Sequence, residues 1–132
     1  MSATKAEKEF VSYIVELMQT VGAVHARNMF GGYGIYLEGL MFGLVADSVL
    51  YLKADKYTEN EFRDRGLEAF TYYKKDKEYR MSYYEAPEEA LEDAEEMKSG
   101  VIRAYGVALT AAANKRWNKT MARKNTYALV SG

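Results

Sequence analysis

The chain has no cysteine among its 132 residues, and it has only one proline and one histidine. The absence of cysteine excludes disulfides, zinc-thiolate sites, iron–sulfur ligation and thiol nucleophiles. The single histidine, His25, lacks the further ligands of a metal site and the placed nucleophile of a catalytic triad. We therefore assign no catalytic residue, no metal site and no cofactor, and we expect a protein that is not an enzyme.

The sequence also lacks a long apolar run. No segment approaches the length needed to span a bilayer, and the polar stretch at residues 2–9 does not resemble a signal peptide. A chain of this length forms one domain and can bury a core without cross-links. We therefore expect a cytoplasmic protein that does not associate with a membrane.

Acidic residues are missing from the C-terminal part of the chain. All 19 of them lie at or before Glu96, and seven lysines and arginines follow it. Such asymmetry indicates an anionic partner for the basic part, or two parts that neutralise each other within the fold or across a dimer.

Apolar periodicity predicts helices and strands in alternation. Phe10, Ile14, Leu17 and Val21 recur at helical spacing, whereas Val49, Tyr51 and Lys53 alternate with two leucines as in a strand. The predicted helices are 5–21, 58–65 and a last one from about Ala94; the predicted strands are 24–30, 33–38, 40–46, 49–53, 69–74 and 78–84. Short turns between neighbouring strands require antiparallel pairing. The order α-β-β-β-β-α-β-β-α predicts a two-layer α+β fold with the helices on one side of the sheet.

Several local signals refine these helices. Thr58 with Glu61 fits a capping box, and Tyr57 with Phe62 fits the hydrophobic staple around it. Asp93 fits the cap of the last helix. The predicted core face of that helix comprises Met97, Val101, Ile102, Tyr105, Ala108, Leu109 and Ala112. After Ala113 the apolar stripe is lost, so we expect a domain over residues 1–114 and a basic tail over 115–132 that is flexible in part.

Five glycines lie among apolar and aromatic residues between Met29 and Ala46. This stretch begins with Met29, Phe30, Gly31, Gly32, Tyr33 and Gly34. A phosphate-binding loop would need these glycines before a helix, but a strand follows them, which favours bends that let strands pack closely.

The same stretch resembles the N-terminal domain of the TfoX/Sxy competence regulators. The run from Leu50 to Asp55 and the turn from Tyr83 to Pro87 are also similar to that family. The resemblance covers roughly residues 10–112. It implies a fold of the secretion-chaperone type and a role in transcription regulation in bacteria, and it supplies no catalytic residues. Larger members carry a second, helical domain. Because this chain ends at Gly132, we expect a stand-alone N-terminal module.

Two candidate surfaces follow. Twelve tyrosines are many for this length, and we expect about half of those in the strands to pack in the core. The rest suit a surface for a protein partner or a homodimer. The candidates for that surface are Tyr36, Tyr51, Tyr72 and Tyr83. His25 and Arg27 are minor surface candidates.

The second candidate surface is the basic tail. Basic residues beside one aromatic ring can contact phosphates and stack on a base. The candidates are Lys115, Arg116, Trp117, Lys119, Arg123 and Lys124. A helix C-terminus also favours cations without any partner, and Trp117 could simply dock on the sheet. The leading hypothesis is thus an interaction module; a nucleic-acid-binding accessory protein is the alternative, and a ligand binder or enzyme with a tyrosine-lined pocket ranks last.

Overall fold

The computed structural model describes residues 4–29 and 31–131, of which residues 123–131 are described as helical backbone only. The described elements follow the predicted order, and a short helix, α3, begins directly after Pro87. A 3₁₀ turn over Met18–Thr20 extends the first helix. The helices are α1 Lys5–Leu17, α2 Glu59–Asp64, α3 Glu88–Glu92 and α4 Ala94–Ser131; the strands are β1 His25–Met29, β2 Gly32–Leu37, β3 Leu40–Ala46, β4 Val49–Lys53, β5 Ala69–Lys74 and β6 Lys77–Glu85.

The six strands form one antiparallel sheet in the order β1-β2-β3-β4-β6-β5. Three two-residue turns join neighbouring strands, and each holds two residues at positive φ. This left-handed conformation suits the right-handed twist of a hairpin. The turn residues are Glu38 with Gly39, Asp47 with Ser48, and Lys75 with Asp76. The α+β prediction is therefore confirmed.

The core lies between the helices and one face of the sheet. Ile14 of α1 and Met97 of α4 are fully buried against the sheet residues Phe42 and Leu52. Because α4 contacts both β3 and β4, it covers the middle of that face. The predicted alternation in β4 is confirmed, since Leu50 and Leu52 enter the core while their neighbours face away.

A buried carboxylate ties α1 to the sheet. Glu7 is 6% exposed, and its Oε2 accepts a hydrogen bond from the backbone N–H of Ser48 at 3.0 Å. The N–H of Glu7 is itself satisfied by the Thr4 side chain that caps α1. A carboxylate that accepts a backbone hydrogen bond can be buried at acceptable cost. Glu7 therefore fixes the start of α1 over the turn between β3 and β4.

The predicted capping box and staple of α2 are wrong. The side chain of Thr58 does not cap α2 but accepts a hydrogen bond from the N–H of Asp55 at 3.0 Å. Asp55 in turn accepts bonds from the N–H groups of Tyr57 and Thr58. The ring of Tyr57 is 77% exposed and so forms no staple with Phe62. An Asp-centred turn therefore competes with the capping box and satisfies one of its two donors, the N–H of Thr58, while the N–H of Glu61 donates to the Thr58 carbonyl.

The predicted core face of α4 is wrong in part. Ile102 is 53% exposed and Leu109 is 47% exposed. The buried stripe runs through Met97, Val101 and Ala104, which share one narrow side of the helix. Since the sheet offers α4 only that narrow contact, the outer apolar residues remain in solvent. The predicted cap is confirmed, because Asp93 accepts a hydrogen bond from the N–H of Glu95.

Beyond the sheet, α4 continues to Ser131. The division of the chain into a domain ending at residue 114 and a flexible tail stays a prediction. In the part of the chain that the structure describes, no helix is both long and apolar enough to cross a membrane.

Candidate interaction surface

Side chains that point away from the helices form a second apolar layer on the sheet. We call this side the open face; it carries Tyr36, Tyr51, Tyr83 and Tyr72 from four different strands. The pairing registers place Tyr36 opposite His25 and Tyr83 opposite Lys53. The four tyrosines predicted from sequence thus share one face, although Tyr83 is only 5% exposed there.

A row of aromatic rings runs along the β4, β5 and β6 side of the open face. The ring of Tyr51 meets the edge of Phe70 at 5.1 Å between centroids. Phe70 stacks with Tyr72 at 6.3 Å, and Tyr72 stacks with Tyr79 at 5.3 Å. Offset and edge-to-face contacts of this kind stabilise each ring beyond its burial. The row is therefore a packed platform whose outer members, Tyr72 and Tyr79, are 40% and 39% exposed.

Cationic side chains cover the other tyrosines of this face. The Lys53 ammonium lies 4.9 Å from the Tyr83 ring centroid, and the Arg27 guanidinium lies 5.4 Å from that of Tyr36. His25 stacks on Tyr36 at 5.7 Å. Cations over ring faces are attracted by the ring quadrupole. His25 and Arg27, singled out in the sequence, therefore lie on the open face beside a candidate tyrosine.

Burial changes the acid–base properties of two groups here. It raises the pKa of Tyr83 to about 12, with a smaller contribution from Tyr36. It also lowers the pKa of Lys53. In both cases burial favours the neutral form of the group, which is the form that packs best against the sheet.

A groove of about 620 Å³ opens on this face between the two halves of the sheet. Its walls combine thioether, aliphatic and aromatic side chains, and no described lining residue carries a carboxylate or an imidazole. Methionine and tyrosine suit surfaces that adapt to a partner. The lining residues include Met29, Leu44, Phe70, Tyr72 and Met81.

The glycine motif builds one wall of this groove. Gly31 has φ +80° in the turn between β1 and β2. A Cβ on Gly34 would lie 2.7 Å from Met29 Sδ and 2.8 Å from Tyr36 Cε1. These glycines therefore let the turn form and let open-face side chains close over β2. Phe30, the remaining unplaced member of the motif, lies outside the described residues.

The basic tail lies elsewhere, on the part of α4 beyond the sheet. Lys115, Arg116 and Lys119 are exposed, and Trp117 is 63% exposed. Docking of Trp117 on the sheet is therefore wrong. The side chains of Arg123 and Lys124 lie outside those described.

Sequence reasoning missed Phe70 and Met81 as parts of the surface. Period-two alternation along β5 places Phe70 on the same face as Tyr72, and the two rings stack. The same alternation in β6 groups Met81 with Tyr79 and Tyr83, so this signal could have extended the surface to both residues. No local sequence signal marks the irregular pairing of β6 opposite Phe70.

Two ion pairs connect the helices on the other side of the sheet. Arg103 of α4 pairs with Glu61 of α2, and Arg65 pairs with Glu89 of α3. A hydrogen bond from Arg103 lowers the pKa of the Glu61 carboxyl. Both pairs are exposed and contribute little to stability.

Within the described residues, no group of three or more His, Cys, Asp or Glu side chains could hold a metal ion.

Comparison with known proteins finds a matching family and a similar curated protein. The family described as the TfoX N-terminal domain matches residues 16–108 of the chain. A DNA transformation protein, TfoX1 of Aliivibrio fischeri, is 32% identical over 82 residues. That alignment covers 62% of this chain and 37% of the relative. The chain therefore spans well under half the length of the curated relative that it matches.

Proposed function

The chain belongs to the TfoX N-terminal domain family, and from that premise we propose that it acts by binding a protein partner through the open face. The family and its relative support a competence-related, regulator-like module. On this proposal it serves transcription regulation in the bacterial cytoplasm, and it catalyses no reaction.

The observation that carries the proposal is the groove on the open face. Core formation already uses the opposite face of the same sheet. The groove nevertheless has a volume of about 620 Å³ and is lined by Tyr72, which is exposed, and by apolar side chains. An apolar depression of this size on a surface that no helix covers is typical of binding sites.

The chemistry of the face indicates what a partner would bring. Apolar side chains of the partner would enter between Met29 and Phe70, where methionine and aromatic groups can adapt to them. A carboxylate of the partner would find Arg27 near the β1 edge of the same face. The outer strand β5 also offers unpaired backbone groups to an added strand.

Site-specific photo-crosslinking tests this proposal. A benzophenone amino acid would replace Tyr72 on the open face or, as the matched control, Tyr57, which is 77% exposed and lies in the turn just before α2. Irradiation in the native cell should yield a discrete protein adduct from the Tyr72 position alone. Equal adducts from both positions, or none from Tyr72, would contradict the proposal.

A second candidate function is nucleic-acid binding by the tail. The specific observation is the exposure of Trp117 beside Lys115 and Arg116 on a helix that extends past the sheet. Phosphate contacts of this kind give weak affinity that falls with salt.

Fluorescence anisotropy of labelled duplex DNA distinguishes this candidate. The tail predicts binding at low salt that weakens at physiological salt and is lost when Lys115, Arg116 and Lys119 are all changed to Gln. A matched variant in which Lys5 and Lys8 of α1 are changed to Gln should bind as the natural chain does. Absence of binding by the natural chain, or equal loss in both variants, would exclude a DNA-binding role for the tail.

A further inference from the structure

The outer side of α4 carries apolar residues that lie outside the buried core. Ile102 and Leu109 are seven positions apart in the sequence, so they lie on the same side of the helix, two turns from each other. Their exposed fractions of 53% and 47% are high for these residue types. The buried stripe through Val101 and Ala104 lies on a different side.

This side of the helix continues at the same spacing in both directions. Seven residues before Ile102 stands Glu95, and seven residues after Leu109 stands Arg116. Both are exposed. Glu95, Ile102, Leu109 and Arg116 therefore form one line along the helix, with an acid at one end, a base at the other and two apolar residues between them. We call this line the outer column.

We propose that two copies of this chain pair through the outer columns of their α4 helices, with the helices antiparallel. In that arrangement Ile102 of each copy lies opposite Leu109 of the other. Glu95 of each copy lies opposite Arg116 of the other. The column thus complements itself about a two-fold axis, as a homodimer interface requires. A parallel pair would instead place Glu95 against Glu95 and Arg116 against Arg116.

A neighbouring column of small residues lets the two helices approach closely. At the centre is Gly106, where no atom lies within 4 Å of the position that a Cβ would take. Small residues at every seventh position leave room for the partner's larger side chains in helix pairs. The members of this column are Ser99, Gly106, Ala113 and Thr120.

Charges beside the column favour the same orientation. Glu96 lies near the start of α4, and Lys115 and Lys119 lie beyond the sheet. Among the described residues, these three and the ends of the outer column form no ion pair within the chain. Antiparallel pairing brings each acidic end of α4 beside the basic end of the other copy, so opposite charges face each other at both ends of the interface.

The length of α4 gives an independent reason for a partner. From Leu109 to Ala122 nearly all described side chains are exposed, so this part of the helix gains no packing from its own domain. Helices without tertiary packing are marginal in water. Pairing from Glu95 to Arg116 would bury one side of α4 along roughly 33 Å.

Charge exchange combined with sedimentation equilibrium tests the proposal. Glu95→Arg alone and Arg116→Glu alone each set like charges against each other at two symmetric places, and each should weaken the dimer by about tenfold or more. The double variant restores opposite charges and should recover most of the natural affinity. Glu9→Arg on α1 makes the same charge change away from α4 and should leave the dimer unchanged.

Two further readouts do not depend on charge. Because the chain lacks cysteine, Gly106→Cys should form a disulfide-linked dimer, whereas Ala111→Cys, on another side of α4, should not. Trp117, the only tryptophan, borders the outer column, and its emission should shift to the blue as protein concentration rises.

Sedimentation equilibrium can overturn the proposal in three ways. A monomer at all concentrations up to millimolar overturns the proposal. So does a dimer whose affinity is unchanged by both single exchanges, or a double variant no better than either single one. Failure of the open-face crosslinking experiment would leave this proposal standing, because the two surfaces lie on different elements.

Discussion

Substituting Gly34 by alanine should destabilise the chain and rearrange the open face. The added Cβ would lie 2.7 Å from Met29 Sδ, 2.8 Å from Tyr36 Cε1 and 3.0 Å from Met41 Sδ. Overpacking of this kind costs about 1–3 kcal/mol, while replacing glycine by alanine in a strand returns about 0.5–1 kcal/mol. The net loss should be about 0.5–2 kcal/mol, which lowers the melting temperature by roughly 2–8 °C.

Thermal unfolding followed by circular dichroism measures this loss. The near-ultraviolet signal should change as well, because Tyr36 must move when Gly34 gains a Cβ. Gly106→Ala is the control, since its Cβ meets nothing within 4 Å, and it should gain about 0.5–1 kcal/mol in dilute solution. If Gly34→Ala melts at or above the natural temperature with an unchanged near-ultraviolet spectrum, the close packing over Gly34 is refuted.

Three other predictions concern the core and the pH dependence of stability. Glu7→Ala removes the carboxylate that accepts the N–H of Ser48 and ties α1 to the turn, so urea unfolding should show a loss of about 0.5–1.5 kcal/mol, and Glu7→Gln, which keeps an acceptor, should lose less. Leu52→Ala should cost about 2–5 kcal/mol in the same assay, because Leu52 is 1% exposed; a loss below 1 kcal/mol would contradict the described core. Burial raises the pKa of Tyr83 from 10.0 to about 12, so its contribution to stability is complete below pH 10 and is lost as the pH rises towards 12. Tyr83→Phe should flatten that part of the pH profile, and an unchanged profile would contradict burial of the hydroxyl.

Much of the fold follows from local patterns. Alternation along β4 places Leu50 in the core and Tyr51 on the open face, and the turn at Asp47 and Ser48 fixes the register of the hairpin. These features depend on residues close in sequence, which is why they can be read without a structure. The sharing of one face by four tyrosines follows from the same alternation.

Other features depend on contacts distant in sequence. The irregular pairings beside Ile35 and Ala69 insert extra residues into β3 and β6, and nothing local marks them. Periodicity assigns Ile102 to the core, because it shows which residues share a side of α4 but not how wide a contact the sheet offers. The groove itself needs two distant parts of the sheet to face each other.

The most direct test of the central claim is the level of competence-gene transcripts in the bacterium that encodes this chain. Deletion of the gene should change those levels, and the natural chain should restore them. A folded variant with Tyr72→Glu on the open face should fail to restore them, whereas a variant with Lys115, Arg116 and Lys119 changed to Gln should succeed. Restoration by the Tyr72 variant together with failure of the tail variant would contradict the account.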